Sequence, residues 1–551
     1  MECRLVSSLE KIFPDGRGTE APAPGLTALR GESLAFQVGV KSEESTLYLW
    51  PEIRSSLGPW ARLRRVESVP VRTPLKGEYS DENYLSLEPG LYPDVLVDLA
   101  DGPAVFPAGQ WRALWAEIDV PKDAPAGVHP FTLLLKTDDG REMGRMETRI
   151  RIIPAVLPPQ KIMHTEWFHA DCLADYYQVP AFSPRHWEII ENFVRTAVRR
   201  GCNMLLTPHL TPALDTRVGG ERTTVQLVEI WAEDGHYRFD FTRLKQWIDM
   251  ALDCGVKWFE MAHLFTQWGA KAAPKVMIWE NGKETRRFGW DTPAVGGQYA
   301  AFLQEYLPAL TAQLHAWGVA GRCFFHISDE PHGDQLESYR AAKESVASLL
   351  SGFPIMDALS DYTIFEQSGI HTPVVSIQAL DAFLEKQISP LWGYYCCGPT
   401  TVTTNRFIQM PLARTRALGL QLWKYQLTGF LHWGYNFYNT VHSVARVNPY
   451  LDTEAGGAFP AGDPFLVYPG RDGRPEESIR LAALHGAFQD ARALSLLESL
   501  TGRDNALAVL ASAAGDITLT HYPWDAQALL SVRDAVNDAI DQALRAARPE
   551  N

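Results

Sequence analysis

The stretch Cys323-Phe324-Phe325-His326-Ile327-Ser328-Asp329-Glu330-Pro331 predicts a short buried strand, residues 323–327, that ends in two adjacent carboxylates. Pro331 stops further pairing, because its nitrogen carries no hydrogen to donate to a neighbouring strand. In a barrel of parallel strands, this end of a strand lies at the mouth, where catalytic groups sit. Two carboxylates there can divide acid, base and orienting roles. The pair alone is a weak signal, since Asp81-Glu82 is a second adjacent pair without such surroundings.

Composition limits the classes of protein to which the chain can belong. Its 551 residues suffice for roughly three to four domains, or fewer if one is a large barrel. The hydrophobic fraction of 46% is ordinary for a globular protein with a sizeable core. The net charge of −15 argues against a nucleic-acid or anionic-membrane partner, because neither attracts an acidic surface. An aromatic content of 11% suits a carbohydrate site, although cores use aromatic side chains as well.

The start of the chain and its cysteines predict a cytoplasmic protein. The first residues form no apolar run of signal-peptide length, and no stretch approaches ~18 apolar residues, so we expect neither export nor a membrane span. The seven cysteines include no CxxC pair, and a bond between the neighbours Cys396 and Cys397 would be strained, so we expect all seven to be reduced. With no zinc-ligand spacing, no P-loop and no GxGxxG opening a helix, the sequence predicts no metal site and no cofactor.

Residues 1–156 have the pattern of a β-sandwich domain. Apolar residues that alternate with smaller or polar neighbours predict half-buried strands. The alternation is clearest at Leu34, Phe36, Val38 and Val40, and at Leu114, Ala116, Ile118 and Val120. Asp138-Asp139-Gly140 marks a hairpin, and Leu157-Pro158-Pro159 a short, stiff linker.

Residues 160–495 alternate strands with helices, which predicts βα units and a parallel sheet. Eight strands are placed near residues 164–168, 203–206, 256–261, 323–327, 354–358, 374–378, 391–395 and 430–433, with long loops after the second and third. Eight units over about 300 residues fit a (β/α)8 barrel of ~250 residues plus insertions. A doubly wound open sheet is the alternative, but it would more often carry a Gly-rich first turn. Residues 496–551 are predicted to be a helical C-terminal extension.

Polar and aromatic side chains follow most of the predicted strands. The candidate site residues are His169, Asp171, Glu260, His263, Gln267, Trp268, Asp329, Glu330, Tyr394, Tyr395, Trp433 and Asn436. Such a set suits a sugar pocket, since aromatic faces stack on the apolar faces of sugars and hydroxyls need hydrogen-bond partners. For any one of them, the alternative is a loop cap or a structural hydrogen bond.

Several motifs that occur in order along residues 160–495 are similar to those of one enzyme family. The segment from Phe324 to Pro331 resembles the Asp-Glu motif of glycoside hydrolase family 123, and the run from Glu260 to Ala270 extends the resemblance. Residues 392–399 and 429–436 are similar to the C-terminal domain of unknown function 4091, which that family shares.

That resemblance implies a retaining, exo-acting β-N-acetylhexosaminidase, with N-acetylgalactosamine favoured. In such enzymes the 2-acetamido oxygen of the substrate attacks the anomeric carbon. Glu330 would be the general acid and then the base, and Asp329 would hold the acetamido N–H. Neighbouring strand residues point apart, so the two carboxylates can reach the leaving oxygen and the 2-substituent of one sugar. Like charges this close raise one of the two pKa values, as a general acid near neutral pH requires.

Other side chains are assigned from their position alone. Tyr394 or Tyr395 could hydrogen-bond the acetamido oxygen, and Trp433 could form the floor under the sugar. A cytoplasmic enzyme meets small imported oligosaccharides, so we expect a pocket for a small oligosaccharide or glycoside. The sequence does not indicate the oligomeric state.

Two further hypotheses stay open. The chain could be a glycosidase for a sugar without the 2-acetamido group, with Glu260 or Asp171 as the nucleophile. It could also be a non-catalytic carbohydrate-binding protein, although the intact Asp329 and Glu330 argue against that.

Overall fold

The N-terminal part of the protein consists of two β-sheets around a shared apolar core. A computed structural model describes residues 1–20, 25–99 and 102–547. The strands of this part are β1 Glu2–Ser7, β2 Leu26–Arg30, β3 Ser33–Lys41, β4 Leu47–Ser55, β5 Ala61–Val71, β6 Gly90–Asp98, β7 Ala104–Phe106, β8 Trp111–Asp119, β9 Gly127–Lys136 and β10 Glu142–Val156. One sheet contains β1-β3-β8-β5-β6 and the other β2-β10-β9-β4-β7. The alternating apolar residues of β3 and β8 lie between them, which confirms the predicted sheet-rich region.

The rest of the chain alternates strands with helices. The strands are β11 Met163–Glu166, β12 Met204–Thr207, β13 Glu229–Glu233, β14 His236–Asp240, β15 Trp258–Met261, β16 Val276–Glu280, β17 Lys283–Phe288, β18 Cys323–Phe325, β19 Met356–Ala358, β20 Thr372–Ser376, β21 Trp392–Tyr394, β22 Gly429–His432, β23 Val467–Pro469 and β24 Pro475–Ser478. The helices are α1 Ala170–Tyr177, α2 Pro184–Arg199, α3 Thr242–Cys254, α4 Gly297–Ala316, α5 Leu336–Ala347, α6 Tyr362–Ser368, α7 Leu380–Glu385, α8 Leu412–Lys424, α9 Ile479–Thr501, α10 Arg503–Ala514 and α11 Ala526–Ala546.

Eight parallel strands form a nearly closed barrel in the order β18-β15-β12-β11-β22-β21-β20-β19. These are the eight strands that the sequence predicts, with ends shifted by no more than two residues. Between β18 and β19 the backbone ladder is reduced to one bridge pair, Phe325 with Ile355. The carboxyl ends of all eight strands therefore meet at one mouth, as the sequence analysis expects.

Local signals set the ends of the barrel helices. Helix α2 begins at Pro184, whose fixed φ suits the first helical position, and the Ser183 hydroxyl accepts a hydrogen bond from the His186 N–H at 3.3 Å. Helix α3 ends at Gly255, which adopts the left-handed conformation at φ 101°. Both boundaries can be read directly from the residue types.

The two long insertions each contain a hairpin that the sequence analysis describes as loop. Asp234-Gly235 joins β13 to β14, and Asn281-Gly282 joins β16 to β17. All four turn residues have positive φ, between 49° and 84°, which is the type I′ geometry that such dipeptides favour. The two dipeptides are therefore hairpin signals in the sequence itself. A bridge between Trp231 and Trp279 joins the hairpins into one four-stranded sheet.

Strands β23 and β24 belong to the N-terminal sheet although they come late in the chain. Strand β24 pairs with β6, which gives the seven-stranded order β1-β3-β8-β5-β6-β24-β23. Residues 467–478, inside the predicted barrel domain 160–495, thus complete the sheet that begins at residue 2. The domain boundaries themselves stay predictions.

The C-terminal helices α9 and α11 pack on α8, and α10 packs on α9 and α11. Helix α9 also contacts β6 of the seven-stranded sheet, and α11 contacts β2 and β10 of the five-stranded sheet. Arg533 of α11 donates to Asp490 of α9 at 2.9 Å and to Glu32 at 2.7 Å, which adds buried ion pairs to this apolar contact. Within the described part of the chain, no helix combines the length and the hydropathy needed to cross a bilayer.

A buried ionic cluster joins the N-terminal sheet to the barrel. Glu477 of β24 accepts from Arg200, at the end of α2, with 2.6 and 3.0 Å separations, and from Arg199 at 2.6 Å. Arg64 of β5 bridges Glu477 and Glu117. Burial acts to raise the pKa of Glu477, but Arg200 and Arg64 outweigh it and hold that pKa well below its usual range. Both carboxylates are therefore charged and paired in the folded protein.

We expect Glu477→Gln to lower the free energy of unfolding at pH 7 by about 3–5 kcal/mol, because it removes one of the two carboxylates that neutralise the buried Arg64 and Arg200. Urea unfolding followed by circular dichroism measures the loss. The folded-state pKa of Glu477 lies below its unfolded value, so its contribution is complete near neutral pH and disappears on acidification. Lowering the pH from 7 towards 3 should therefore destabilise the wild type more than the variant.

Glu191→Gln is the matched control for this prediction. Glu191 pairs with Arg195 on the exposed face of α2, where an ion pair contributes ~0.2–1 kcal/mol. If the two variants lost equal stability, the buried cluster would not hold the sheet and the barrel together.

Candidate active site

A pocket of about 170 Å³ opens at the carboxyl ends of the barrel strands. Its walls are Trp167, Leu214, Asp215, Gln267, Trp268, Asp329, Glu330, Ala358, Tyr394, Cys396, Cys397, Leu431, Trp433 and Phe459. Six of the twelve candidate site residues are among them, namely Gln267, Trp268, Asp329, Glu330, Tyr394 and Trp433. The pocket therefore joins a carboxylate pair to aromatic rings.

The carboxylate pair follows strand β18 and is held from two sides. The Tyr394 hydroxyl donates to Glu330 Oε1 at 2.6 Å, and the Trp268 backbone N–H donates to the Asp329 carbonyl at 3.2 Å. Glu330 has φ 42°, a conformation that costs energy in a residue other than glycine and that often marks functional sites. Both residues are half-buried, so they remain open to a bound molecule.

Burial, together with the charge of neighbouring Glu330, raises the pKa of Asp329 well above its usual range. Two carboxylates this close titrate as a unit, and the second proton leaves only at a higher pH. The pair therefore keeps one proton at pH values where an isolated aspartate would be fully ionised. The adjacency of the two carboxylates in the sequence predicts that one pKa of the pair is raised, and the raised pKa is that of Asp329.

His326 lies between two carboxylates in the barrel interior beneath the pocket. Its Nε2 donates to Glu260 Oε1 at 2.6 Å and its Nδ1 to Asp357 Oδ1 at 2.9 Å. Burial alone would lower the pKa of His326, but these two hydrogen bonds outweigh it and raise the pKa to about 10. The side chain is thus an imidazolium at neutral pH.

This buried triad of Glu260, His326 and Asp357 positions the pocket above it. Glu260 also accepts from the Trp167 indole at 2.6 Å, which fixes one wall of the pocket. Asp357 accepts from the Ile327 backbone N–H at 3.1 Å, two residues before Asp329. Glu260 is fully buried, so the structure places it below the pocket rather than on its surface.

His263, His326 and Asp357 bring three potential metal-ligand atoms within 4.8 Å of one another. Both nitrogens of His326 already donate to carboxylates, and the two imidazole rings stack at 4.2 Å between centroids. Because both His326 nitrogens carry protons that are bonded to carboxylates, His326 offers no lone pair to a metal ion. Burial, with the neighbouring His326, lowers the pKa of His263 well below its usual range.

Three other candidate residues support loops around the pocket instead of lining it. Asp171 forms a two-pronged ion pair with Arg222 at 2.7 and 2.8 Å. Asn436 exchanges two hydrogen bonds with the backbone of His169 at 2.9 and 3.0 Å. The His169 ring bonds the Trp433 carbonyl at 2.8 Å and accepts from Arg222. These contacts match the structural role that the sequence analysis weighs as the alternative.

Tyr395 is fully buried, and the Trp433 indole is held by a hydrogen bond to the buried Asp463. The Tyr395 ring packs on Phe430 and does not reach the pocket. The Trp433 indole donates to Asp463 at 3.0 Å. Burial, only partly offset by Arg406, raises the pKa of Asp463 to about 7. Of the two adjacent tyrosines, Tyr394 is the one that faces the carboxylate pair.

Several pocket residues were not among the candidates. Trp167 directly follows strand β11, and strand-end position was the available signal. Cys396 and Cys397 directly follow the seventh predicted strand. Asp215 is one of the polar residues that follow the second predicted strand, so strand-end position is its signal too, although local residue types do not indicate that its loop folds back over the mouth.

Comparison with known proteins agrees with this architecture. The family model described as the catalytic domain of glycoside hydrolase 123 matches residues 167–497. A family 123 glycoside hydrolase from Clostridium perfringens, studied for glycolipid glycan hydrolysis, superposes with a TM-score of 0.72 at 13% identity, over 99% of this chain and 98% of that one. No curated protein matches the sequence.

Two other solved structures align far less closely. A β-glucuronidase from Parabacteroides merdae has a TM-score of 0.32 at 10% identity, over 89% of this chain and 51% of that one. A family 10 xylanase from Thermobacillus composti has a TM-score of 0.29 at 12% identity, over 59% and 97%. The resemblance of the C-terminal motifs to the domain of unknown function 4091 stays a prediction. With more than half of its length matched by the family model, the chain belongs to glycoside hydrolase family 123.

Proposed function

We propose that this glycoside hydrolase is a retaining, exo-acting β-N-acetylhexosaminidase with N-acetylgalactosamine as its favoured sugar. One observation carries the proposal. Glu260 and Asp171, the enzyme nucleophiles of the alternative hypothesis, are buried and hydrogen-bonded to other side chains, while Asp329 and Glu330 share the pocket. A nucleophile supplied by the substrate fits this arrangement.

In the proposed reaction Glu330 gives its proton to the glycosidic oxygen as the bond to C1 breaks. The acetamido carbonyl oxygen attacks C1 from the opposite face and forms a cyclic oxazolinium ion. Asp329 accepts the acetamido N–H and offsets the positive charge of that ion. Glu330, now a carboxylate, takes a proton from water as the water oxygen opens the ring at C1, so the β-configuration is retained.

The proton that the carboxylate pair holds in the free enzyme can serve as the proton for the leaving oxygen. In the free enzyme the raised pKa falls on Asp329. An acetamido N–H donor beside Asp329 would favour its ionised form, because hydrogen bonding to a charged carboxylate stabilises the charge. Substrate binding would thereby shift the proton to Glu330, where the leaving oxygen needs it.

The remaining pocket residues receive supporting roles. Tyr394 is the candidate donor to the acetamido oxygen. In the free enzyme its hydroxyl donates to Glu330 Oε1 at 2.6 Å, and it would turn to the acetamido oxygen once the proton of the carboxylate pair moves to Glu330. Trp433 and Trp167 offer rings for the apolar face of the sugar. We propose small oligosaccharides with a terminal β-linked N-acetylhexosamine as substrates. The relation to an enzyme studied for glycolipid glycan hydrolysis supports a glycan on the leaving side.

The substrate class is tested with matched 4-nitrophenyl glycosides. We expect cleavage of the β-N-acetylgalactosaminide, weaker cleavage of the β-N-acetylglucosaminide, and at least 100-fold lower kcat/KM for the β-galactoside, which lacks the internal nucleophile. Equal or faster cleavage of the β-galactoside would refute the proposal and favour an enzyme nucleophile. Proton NMR of the first product should show the β-anomer.

The two carboxylates should respond differently to the leaving group. Glu330→Gln should lose most activity on a methyl or sugar aglycone and little on a 2,4-dinitrophenyl aglycone, which needs no protonation. Asp329→Asn should be impaired on both, because its role in orienting the acetamido group precedes leaving-group protonation. Steady-state kcat/KM on the two aglycones measures this, and equal losses in both variants would contradict the division of roles.

Tyr394 and Tyr395 form a matched pair for a hydroxyl deletion. Tyr394→Phe removes a hydrogen bond to a carboxylate, so we expect about a 10- to 100-fold fall in kcat/KM on the N-acetylgalactosaminide. The Tyr395 hydroxyl is buried with no hydrogen-bond partner among the described residues, so Tyr395→Phe should leave kinetics unchanged and stability equal or higher. The reverse ranking would exclude Tyr394 from the reaction.

A further inference from the structure

One wall of the pocket has no task in the proposed reaction. Asp215, Gln267 and Trp268 form this wall, and together with His442, whose ring lies against Trp268, we call them the rim cluster. Asp215 comes from the loop after β12, Gln267 and Trp268 from the loop after β15, and His442 from the loop after β22. The Trp268 and His442 rings lie 5.5 Å apart between centroids. Three separate loops thus converge on one side of the mouth.

The backbone of the rim cluster is strained. Asp215, Trp268 and His442 have φ values of 39°, 61° and 59°, and Ser443, beside His442, has 53°. Such conformations cost on the order of 1–3 kcal/mol each in residues other than glycine, and they persist only where surrounding contacts impose them. They concentrate where a side chain must be held in one orientation for binding or catalysis.

The contacts that impose the strain hold Asp215. Its N–H donates to Gln267 Oε1 at 2.6 Å, its carbonyl accepts from the Ser443 hydroxyl at 2.7 Å, and its Oδ2 accepts from the His442 N–H at 2.8 Å. Gln267 uses its amide nitrogen on the Thr216 carbonyl at 3.1 Å. Both polar ends of Gln267 therefore serve to place Asp215.

One acceptor of this assembly remains unused. Asp215 Oδ1 has no protein donor among the described residues, and Asp215 is a half-buried wall of the pocket that contains Asp329 and Glu330. A fixed carboxylate with one free oxygen is a strong acceptor for a hydroxyl, since hydrogen bonds to charged groups are about twice as strong as neutral ones. Asp215 Oδ1 can therefore accept a hydrogen bond from a molecule bound in the pocket.

We propose that Asp215 is a specificity-determining residue that binds one hydroxyl group, O3, O4 or O6, of the sugar in the pocket. This proposal rests on the proposed function, in which Glu330 and Asp329 bind the substituents of C1 and C2. The three remaining hydroxyls are then left for the other walls of the pocket. A site built to bond a hydroxyl rejects an analogue that lacks it, because the buried polar group is then left unpaired. Asp215 would thus select among sugars.

The test compares the wild type with Asp215→Asn on 4-nitrophenyl N-acetyl-β-galactosaminides that lack O3, O4 or O6. Asparagine tolerates the left-handed backbone of this position, and its carbonyl oxygen can keep the bond from the His442 N–H, so the change replaces the free acceptor oxygen with an NH2 group and removes the negative charge. We expect kcat/KM on the parent glycoside to fall about 10- to 100-fold, as for loss of a charged hydrogen bond. Asp249→Asn, an exposed carboxylate on α3, is the control and should leave kcat/KM unchanged.

The decisive readout is the coupling between the residue and one hydroxyl. Removal of that hydroxyl should cost the wild type about as much as the Asp215→Asn change, and it should cost the variant little, whereas the other two deletions should cost both enzymes equally. If no deletion shows such coupling, the proposal is wrong. A loss near 10⁴-fold in Asp215→Gly that azide restores with inversion would also overturn it, since Asp215 would then be the nucleophile.

The two proposals can fail separately. If the wild type cleaves plain β-galactosides as well as acetamido sugars, the proposed function fails, and the same coupling is measured on deoxy-β-galactosides. If acetamido sugars are required and no hydroxyl couples to Asp215, the proposed function stands and this inference fails.

Discussion

The closure of the barrel between β18 and β19 is the constraint on which the pocket depends. The backbone ladder there is reduced to one bridge pair, and the side chain of Asp357 supplies the missing connection. It accepts from the His326 ring and from the Ile327 N–H, so it holds the end of β18 across the seam. Asp329 and Glu330 follow two and three residues after Ile327. The position of both carboxylates is thus set by a buried ionic contact in place of a regular sheet.

An ionic contact at this depth explains why the barrel interior departs from the usual aliphatic layers. Glu260 and His326 meet beneath the pocket, and Glu166 pairs with Arg406 on the far side, all fully buried. Buried pairs contribute little net stability compared with apolar residues of the same size, but loss of one partner is costly. The interior therefore gives up some stability and gains fixed orientations for Trp167 and the segment before Asp329.

The sequence predicts the barrel better than it predicts the site. Short apolar runs that end in polar residues locate all eight strands, because burial on both faces leaves few other interpretations. The same rule cannot say whether a polar residue at a strand end faces the mouth or the interior. By strand-end position alone Glu260 and Glu330 are equivalent, and the family resemblance together with the tertiary contacts of Glu260 separates them. Asp215 depends on the path of a loop, which local residue types do not determine.

The late arrival of β23 and β24 affects how the protein can be made. A ribosome releases the chain from its N-terminus, and domains generally fold as they emerge. The seven-stranded sheet cannot be complete until residues 467–478 have been translated, so β6 stays an open edge while the whole barrel is being synthesised. An open edge invites pairing with other chains. Strands β23 and β24 therefore cover this edge only late in synthesis. A chain cut between the sandwich and the barrel would leave the edge of β6 exposed.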